Sequence, residues 1–147
     1  MGPRNRTDYS DYGGTLYFEK TGAVDEQGAG GNTIADTATL VNTGSGYMMW
    51  GNSAADSFMV RLNLTNSGTR GIYVGNNQPN HYVGGDIIGT NTGTGTSTWI
   101  YVVNGATSTM AIDGDVFLSN TSSATTTQIG MALGGDATIG GDLTMLN

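Results

Sequence analysis

The chain has 147 residues, enough for one domain, with a formal net charge of -7 and only 12% charged residues. That balance excludes a protein built to grip nucleic-acid phosphates, which needs clustered Lys and Arg. The lack of cysteine excludes a disulfide framework or a thiolate metal site. Glycine accounts for 25 residues, and good helix formers other than Ala are scarce. Thr, Val, Ile and Tyr favour a pleated surface while Gly and Asn favour turns, so the expected class is all-β. No apolar run approaches the roughly 18 residues of a membrane span. The opening "MGPRNRTDYSDYGG" lacks the apolar stretch of a secretory signal, so the expectation is a soluble protein made in a cytoplasm, with no membrane partner.

Residues 1–14 are polar apart from Tyr9 and Tyr12 and read as an extended arm. Its bases, Arg4 and Arg6, suit either contact with an acidic partner or a solvated end. "TLYFEK" (15–20) alternates as a first strand, and the glycine-rich 21–36 reads as a loop. "TATLVN" (37–42), Thr43-Gly44-Ser45-Gly46 and "YMMW" (47–50) read as a hairpin. In "SFMVRLNLT" (57–65), Phe58, Val60, Leu62 and Leu64 fall on one face of a single strand. Asn66-Ser67-Gly68 turns that strand into "TRGIYVG" (69–75), and "YVGGDIIG" (82–89) is a strand with a bulge at Gly84-Gly85. The Thr-Gly run 90–98 is a loop or a polar surface strand. "WIYVV" (99–103) suits a strand covered on both faces. Asn104-Gly105 and Asp113-Gly114 are strong two-residue hairpin signals, leading into "ATSTMAI" (106–112) and "DVFL" (115–118). Short strands with turns every 8 to 12 residues predict a small antiparallel β-sandwich or barrel. The expected division is an arm (1–14), an antiparallel β domain (15–105) and a repeat-containing tail (106–147).

No signature of an enzyme is present. His81 is the one histidine, and "NNQPNHY" offers no nucleophile beside it. No phosphate loop or dinucleotide fingerprint occurs, and Asp25-Glu26 lies in a glycine-rich segment that would hold paired carboxylates poorly. Asp113, Asp115, Asp136 and Asp142 read as turn formers rather than ligands, because calcium needs six to eight converging oxygens. No cofactor is expected. Trp50, Trp99, Tyr73, Tyr82 and Tyr101 read as core and interface, or as a sugar-stacking face.

The tail repeats itself. Gly134-Gly135-Asp136-Ala137-Thr138-Ile139 is followed by Gly140-Gly141-Asp142-Leu143-Thr144-Met145, and Met110–Leu118 aligns with Met131–Ile139 at an offset of 21 residues. A lone strand of this kind buries too little to be stable. Partner chains wound about a common axis would supply the missing core, with Gly-Gly-Asp at each corner. "GGDATIGGDLTM" resembles the Gly-Asn/Asp-Leu-Thr-Val repeats of trimeric fibre and spike proteins of tailed bacteriophages. In size and layout the chain is similar to phage head decoration (cement) proteins. The resemblance implies a homotrimeric virion surface protein, made in the host cytoplasm, that binds the major capsid protein on the outer capsid and stabilises it. Its short trimeric β tail would be β-helix-like and intertwined. Met131, Leu133, Ile139, Leu143 and Met145 are the candidate trimerisation residues; Arg4, Arg6, Tyr9 and Tyr12 are the candidates for capsid or neighbour contact. Two other readings stay open: a tail-fibre, spike or adhesin module binding host carbohydrate, and a filament subunit.

Overall fold

The computed structural model describes residues 9–147. Among them are seventeen strands and no helix. The first triplet is β1 (Asp11–Tyr12), β2 (Leu16–Lys20) and β3 (Glu26–Gln27). Then follow β4 (Thr33–Ile34), β5 (Ala38–Asn42), β6 (Met48–Met49), β7 (Ser57–Phe58), β8 (Leu62–Asn66) and β9 (Ile72–Asn76). The later strands are β10 (His81–Val83), β11 (Ile87–Asn91), β12 (Ser97–Asn104), β13 (Thr109–Ile112), β14 (Val116–Asn120), β15 (Thr126–Leu133), β16 (Asp136–Ile139) and β17 (Leu143–Leu146). Every strand pairs in parallel with the strand three places along. Three sheets result: β1-β4-β7-β10-β13-β16, β2-β5-β8-β11-β14-β17 and β3-β6-β9-β12-β15. The chain is a parallel β-solenoid whose three sheets are the sides of a prism, climbing one rung of about 4.8 Å per triplet.

The all-β class holds, but the expected antiparallel sandwich or barrel does not. Each segment read as a hairpin turn is a corner between two sides of the prism. Thr43–Gly46 leads from the second sheet to the third, and Asp113-Gly114 from the first to the second. Asn104-Gly105 does turn the chain, with Gly105 at φ 109, but the next strand joins a different sheet. Two segments read as single strands are each cut by a corner. Phe58 closes β7 and Leu62 opens β8, so Val60 lies outside, 47% exposed, while Phe58, Leu62 and Leu64 are buried. Gly84-Gly85 is likewise the corner between β10 and β11 rather than a bulge. A Cβ on Gly85 would lie 1.9 Å from the Val60 carbonyl oxygen of the rung below, which is why that corner carries glycine. The segment read as a loop, 21–36, carries β3 and β4.

The period-2 alternation within each strand sends one set of side chains into the prism. In the second sheet the inward columns are Leu16, Ala38, Leu62, Ile87, Val116, Leu143 and Phe18, Leu40, Leu64, Gly89, Leu118, Met145. Residues from Ile34 to Leu118 form one continuous core, with Trp50 edge-on to Phe18 at 5.6 Å between ring centroids. Each fully buried Leu, Ile or Val contributes about 1.5–3 kcal/mol of transfer free energy. Within "WIYVV", Ile100 to Val103 are all buried, Tyr101 at 8% exposure on the outward face, and Trp99 is half-buried. Trp99 and Tyr101 pack on each other at 6.2 Å and on Tyr73 of the rung below at 5.6 Å, and Tyr73 packs in turn on Tyr47 at 5.9 Å.

The three sheets run without interruption across residue 105, since β12 pairs with both β9 and β15. The Gly-Gly-Asp copies do not need partner chains to find a core: β16 stacks on β13 and β17 on β14 of the same chain. The two copies are successive sides of one rung. The register pairs Met110 with Ala137 and Ile112 with Ile139, so the 21-residue alignment of Met110 with Met131 is not the solenoid repeat.

Candidate functional site

Three features of the prism carry polar or exposed chemistry: an amide ladder, a buried corner and an open end. The ladder is Asn42, Asn66, Asn91 and Asn120, the last inward residues of β5, β8, β11 and β14. Each donates from Nδ2 to Oδ1 of the next, at 3.1, 2.8 and 2.9 Å, and Asn120 donates in turn to Asn147. The intervals along the chain are 24, 25, 29 and 27 residues. Asn42 and Asn66 also donate to the carbonyls of Gly46 and Arg70 and so tie the adjoining corners down. A shorter ladder, Asn52, Asn76 and Asn104, runs beside the third sheet at 2.9 and 2.6 Å. The aspartates singled out in the sequence are split. Asp86 and Asp115 are rungs of a corner column, accepting the amides of Asp115 and Asp142 at 3.1 and 2.8 Å. Asp86 also pairs with Arg61 at 2.9 Å; the Asp115 amide first, and then Arg61, hold its carboxyl below the usual range. Asp113 instead accepts from the Tyr82 hydroxyl at 2.6 Å. Among the described residues, no group of three or more His, Cys, Asp or Glu converges as a metal site would require.

The buried corner joins Asn32, Asp56 and His81. The Asn32 backbone and side-chain amides both donate to Asp56 Oδ1, at 3.0 and 2.8 Å, and the Asp56 backbone N–H donates to His81 Nδ1 at 3.0 Å. His81 is 1% exposed, and its ring lies so close to Gly51 that a Cβ there would sit 2.1 Å from Cε1. Burial pushes the His81 imidazole down to about 4. With Nδ1 accepting, the neutral ring carries its proton on Nε2. In the unfolded chain the same group titrates near 6.5. Between these two values the unfolded chain holds the proton and the folded chain does not. Stability therefore falls as pH drops from about 6.5 to about 4, by roughly 2–3 kcal/mol. Urea midpoints at about pH 7 and pH 4.5 check this. His81→Gln, which keeps an acceptor for the Asp56 amide, should lose most of the difference, and an equal difference in both proteins would refute the assignment.

The open end is the last strand of each sheet. Met131 and Leu133 lie on β15, Ile139 on β16, and Leu143 and Met145 on β17, so the structure brings the five candidate trimerisation residues to the C-terminal end, on the last strand of each sheet. Among the described residues these strands have a partner on one side only. Leu133, Leu143, Met145 and Leu146 are 41–53% exposed, although Val116 and Leu118, the counterparts of Leu143 and Met145 one rung below, are buried. A depression of about 390 Å³ opens between β15 and β17, lined by Tyr101, Gln128, Ile129, Leu133, Met145 and Asn147 among others. Of the candidates for capsid contact, Arg4 and Arg6 lie outside the described residues. Tyr9 is 72% exposed, and its ring passes over Gly31. Tyr12 is half-buried against the core. The aromatic set read as a possible sugar face is divided: Trp50 is interior, Tyr82 is on the first sheet, and Tyr73, Trp99 and Tyr101 share the outer face of the third.

Sequence reasoning missed the ladders, yet a signal was present. "ATLVN", "LNLTN", "IIGTN", "VFLSN" and "LTMLN" all place Asn four residues after an inward apolar residue. No helix among the described residues is long and apolar enough to cross a membrane. No protein-family model matches the chain, and neither a curated protein sequence nor a solved structure matches it.

Proposed function

We propose that the chain is a structural virion protein of a tailed bacteriophage, a homotrimer that decorates the outer capsid by binding the major capsid protein and stabilises it. The observation that carries the reading is the C-terminal end, where apolar side chains of the second and third sheets stand exposed beside unpaired strand edges. Such edges invite pairing with another chain unless they are covered, and a contiguous exposed apolar patch marks an interaction site. Closure around a three-fold axis covers all the ends at once, and three linked capsid contacts raise avidity without any new contact. The resemblance of "GGDATIGGDLTM" to phage fibre repeats supplies the viral context and the number three.

The test is the mass of a Leu143→Asp/Met145→Asp variant in solution. The wild type is expected at three times the chain mass and the variant at one, with the strands from β1 to β14 still folded by circular dichroism. A variant of unchanged mass would remove the C-terminal rung as the contact. The outward, partly exposed rings Tyr47, Tyr73 and Trp99 favour a second reading, a fibre or adhesin module that stacks on host glycan. Copy number in purified particles separates the two: hundreds for decoration, a handful for a fibre.

A further inference from the structure

Large rings, amides and a base meet on the outer face of the third sheet. Gly71 makes room there for an indole to lie flat. Cγ, Cδ1 and Nε1 of Trp99 all lie within 2.5 Å of where a Cβ on Gly71 would stand. Near-equal approach to three successive ring atoms means that the indole rests on Gly71 by its face. The other face is turned away from the sheet, and Trp99 is half-buried. Tyr73 meets Trp99 at 5.6 Å between ring centroids and Tyr47 at 5.9 Å, and both tyrosines are partly exposed. Amides border the row. Gln27 donates to the Tyr47 hydroxyl at 2.9 Å, which leaves that hydroxyl its own proton to give. At the other end the Tyr101 hydroxyl donates to Gln128 Oε1, and the Gln128 Nε2 donors have no partner among the described residues.

The base is Arg70, which immediately precedes the glycine under the indole. Of the bases among the described residues, Lys20 is buried and donates to the Gly22 carbonyl, and Arg61 pairs with Asp86. Arg70 is exposed and has no carboxylate within ion-pair distance among the described residues. Its charge reaches the row: burial, then Tyr101 and Tyr47, push the Tyr73 hydroxyl above its usual range, and Arg70 pulls against them. Asp25, the carboxylate on this face, lies two rungs below Gly71 and has Oδ1 committed to the Tyr47 N–H at 3.0 Å. Repulsion from the rest of an acidic chain is screened beyond about 8 Å at physiological salt, so the groups on the face decide what it attracts. Sugar rings offer C–H faces to aromatic rings and hydroxyls to amides. A guanidinium grips a carboxylate through two parallel N–H bonds. One arginine suits one carboxylate, whereas a nucleic acid asks for a run of bases along its phosphates.

We propose that this face binds a carboxylate-bearing oligosaccharide, built on a uronic or a sialic acid, with its rings stacked on Tyr47, Tyr73 and Trp99 and its carboxylate on Arg70. The stacking rests on the second reading above, the demand for a carboxylate goes beyond it, and neither depends on the trimer or the capsid. The experiment measures binding of the full chain to uronic- and sialic-acid oligosaccharides, each beside its carboxyl-reduced neutral partner, and to single-stranded DNA. The wild type binds an acidic sugar at least about tenfold more tightly than the reduced partner, and the arm that binds names the source of the carboxylate. Arg70 is exposed and holds the Asn66 amide through its backbone carbonyl, so Arg70→Gln keeps the fold. That variant binds the acidic sugar no better than the wild type binds the neutral one. Tyr47→Ala weakens both forms alike. Equal binding of the acidic and neutral forms, or an Arg70→Gln protein that matches the wild type, overturns the carboxylate contact and leaves the stacking standing. Binding to no sugar overturns both, and DNA held more tightly than every sugar overturns the proposal in favour of a nucleic acid.

Discussion

Asn91→Ala lowers the unfolding free energy by about 2–4 kcal/mol, measured by urea denaturation at neutral pH. Asn91 is fully buried in the middle of the ladder. Its Oδ1 accepts from Asn66 at 2.8 Å, and its Nδ2 donates to Asn120 at 2.9 Å and reaches Thr127 Oγ1 at 3.1 Å. Alanine leaves one N–H of Asn66 buried without an acceptor, because Arg70 takes only the other. Asn120 suffers less, since its Oδ1 still accepts from Thr127 at 2.7 Å. The cost is therefore one stranded donor, the bonds lost from Asn91 itself and a small cavity. Asn63→Ala, on the outward face of the neighbouring strand, is the control: its one side-chain bond is a 3.4 Å contact with Thr39. It should stay within about 0.5 kcal/mol of wild type. Equal effects at the two positions would mean that the ladder contributes nothing beyond burial.

Gly30→Ala has an effect of similar or greater size, at least about 3 kcal/mol, for a different reason. Gly30 has φ 90, a conformation that costs an L-residue about 1–2 kcal/mol. A Cβ there would also lie 2.0 Å from the Ala54 carbonyl oxygen of the next rung. No side-chain rotation relieves an overlap with backbone, so the two rungs must separate locally. That strains the neighbouring bonds between Gly31 and Ala55 and between Asn32 and Asp56. Gly13→Ala, where a Cβ meets nothing within 4 Å, should be close to neutral. The check is the shift in thermal midpoint of both variants. A Gly30→Ala protein as stable as Gly13→Ala would show that the corner can relax.

Both effects depend on stacking, and stacking is what the sequence hid. The strand positions were legible where alternation was strong: 37–42 contains β5, and 69–75 contains β9 but for its last residue, Asn76. The residue sets that share a face were legible too, since Leu62 and Leu64 do point inward together. Partner choice was not. Alternation says which side of a strand is buried but is silent on which strand lies beside it, because parallel and antiparallel neighbours ask for the same apolar row. The corners misled for the same reason. Asn104-Gly105 makes a left-handed turn in a hairpin or in a solenoid, and only the next strand's destination distinguishes them. The repeat itself was blurred, since the ladder intervals drift between 24 and 29 residues as the corners lengthen.

The C-terminal repeat shows the division most clearly. Two copies of Gly-Gly-Asp-apolar-Thr-apolar correctly implied short strands, tight corners and a core supplied by something outside the copies. That something is the preceding rung of the same chain, with β13 and β14 beneath β16 and β17. By itself the sequence determined the all-β class, the position of the strongly alternating strands and the lack of any charge-rich binding stripe, because these follow from composition and from a two-residue period. Only the tertiary structure decided that the strands are all parallel, that asparagines roughly 25 residues apart bond in a line, and that the C-terminal end leaves apolar side chains exposed. Each of those is set by contacts between rungs about 4.8 Å apart in space and more than twenty residues apart in the chain, a distance over which local propensity has no reach.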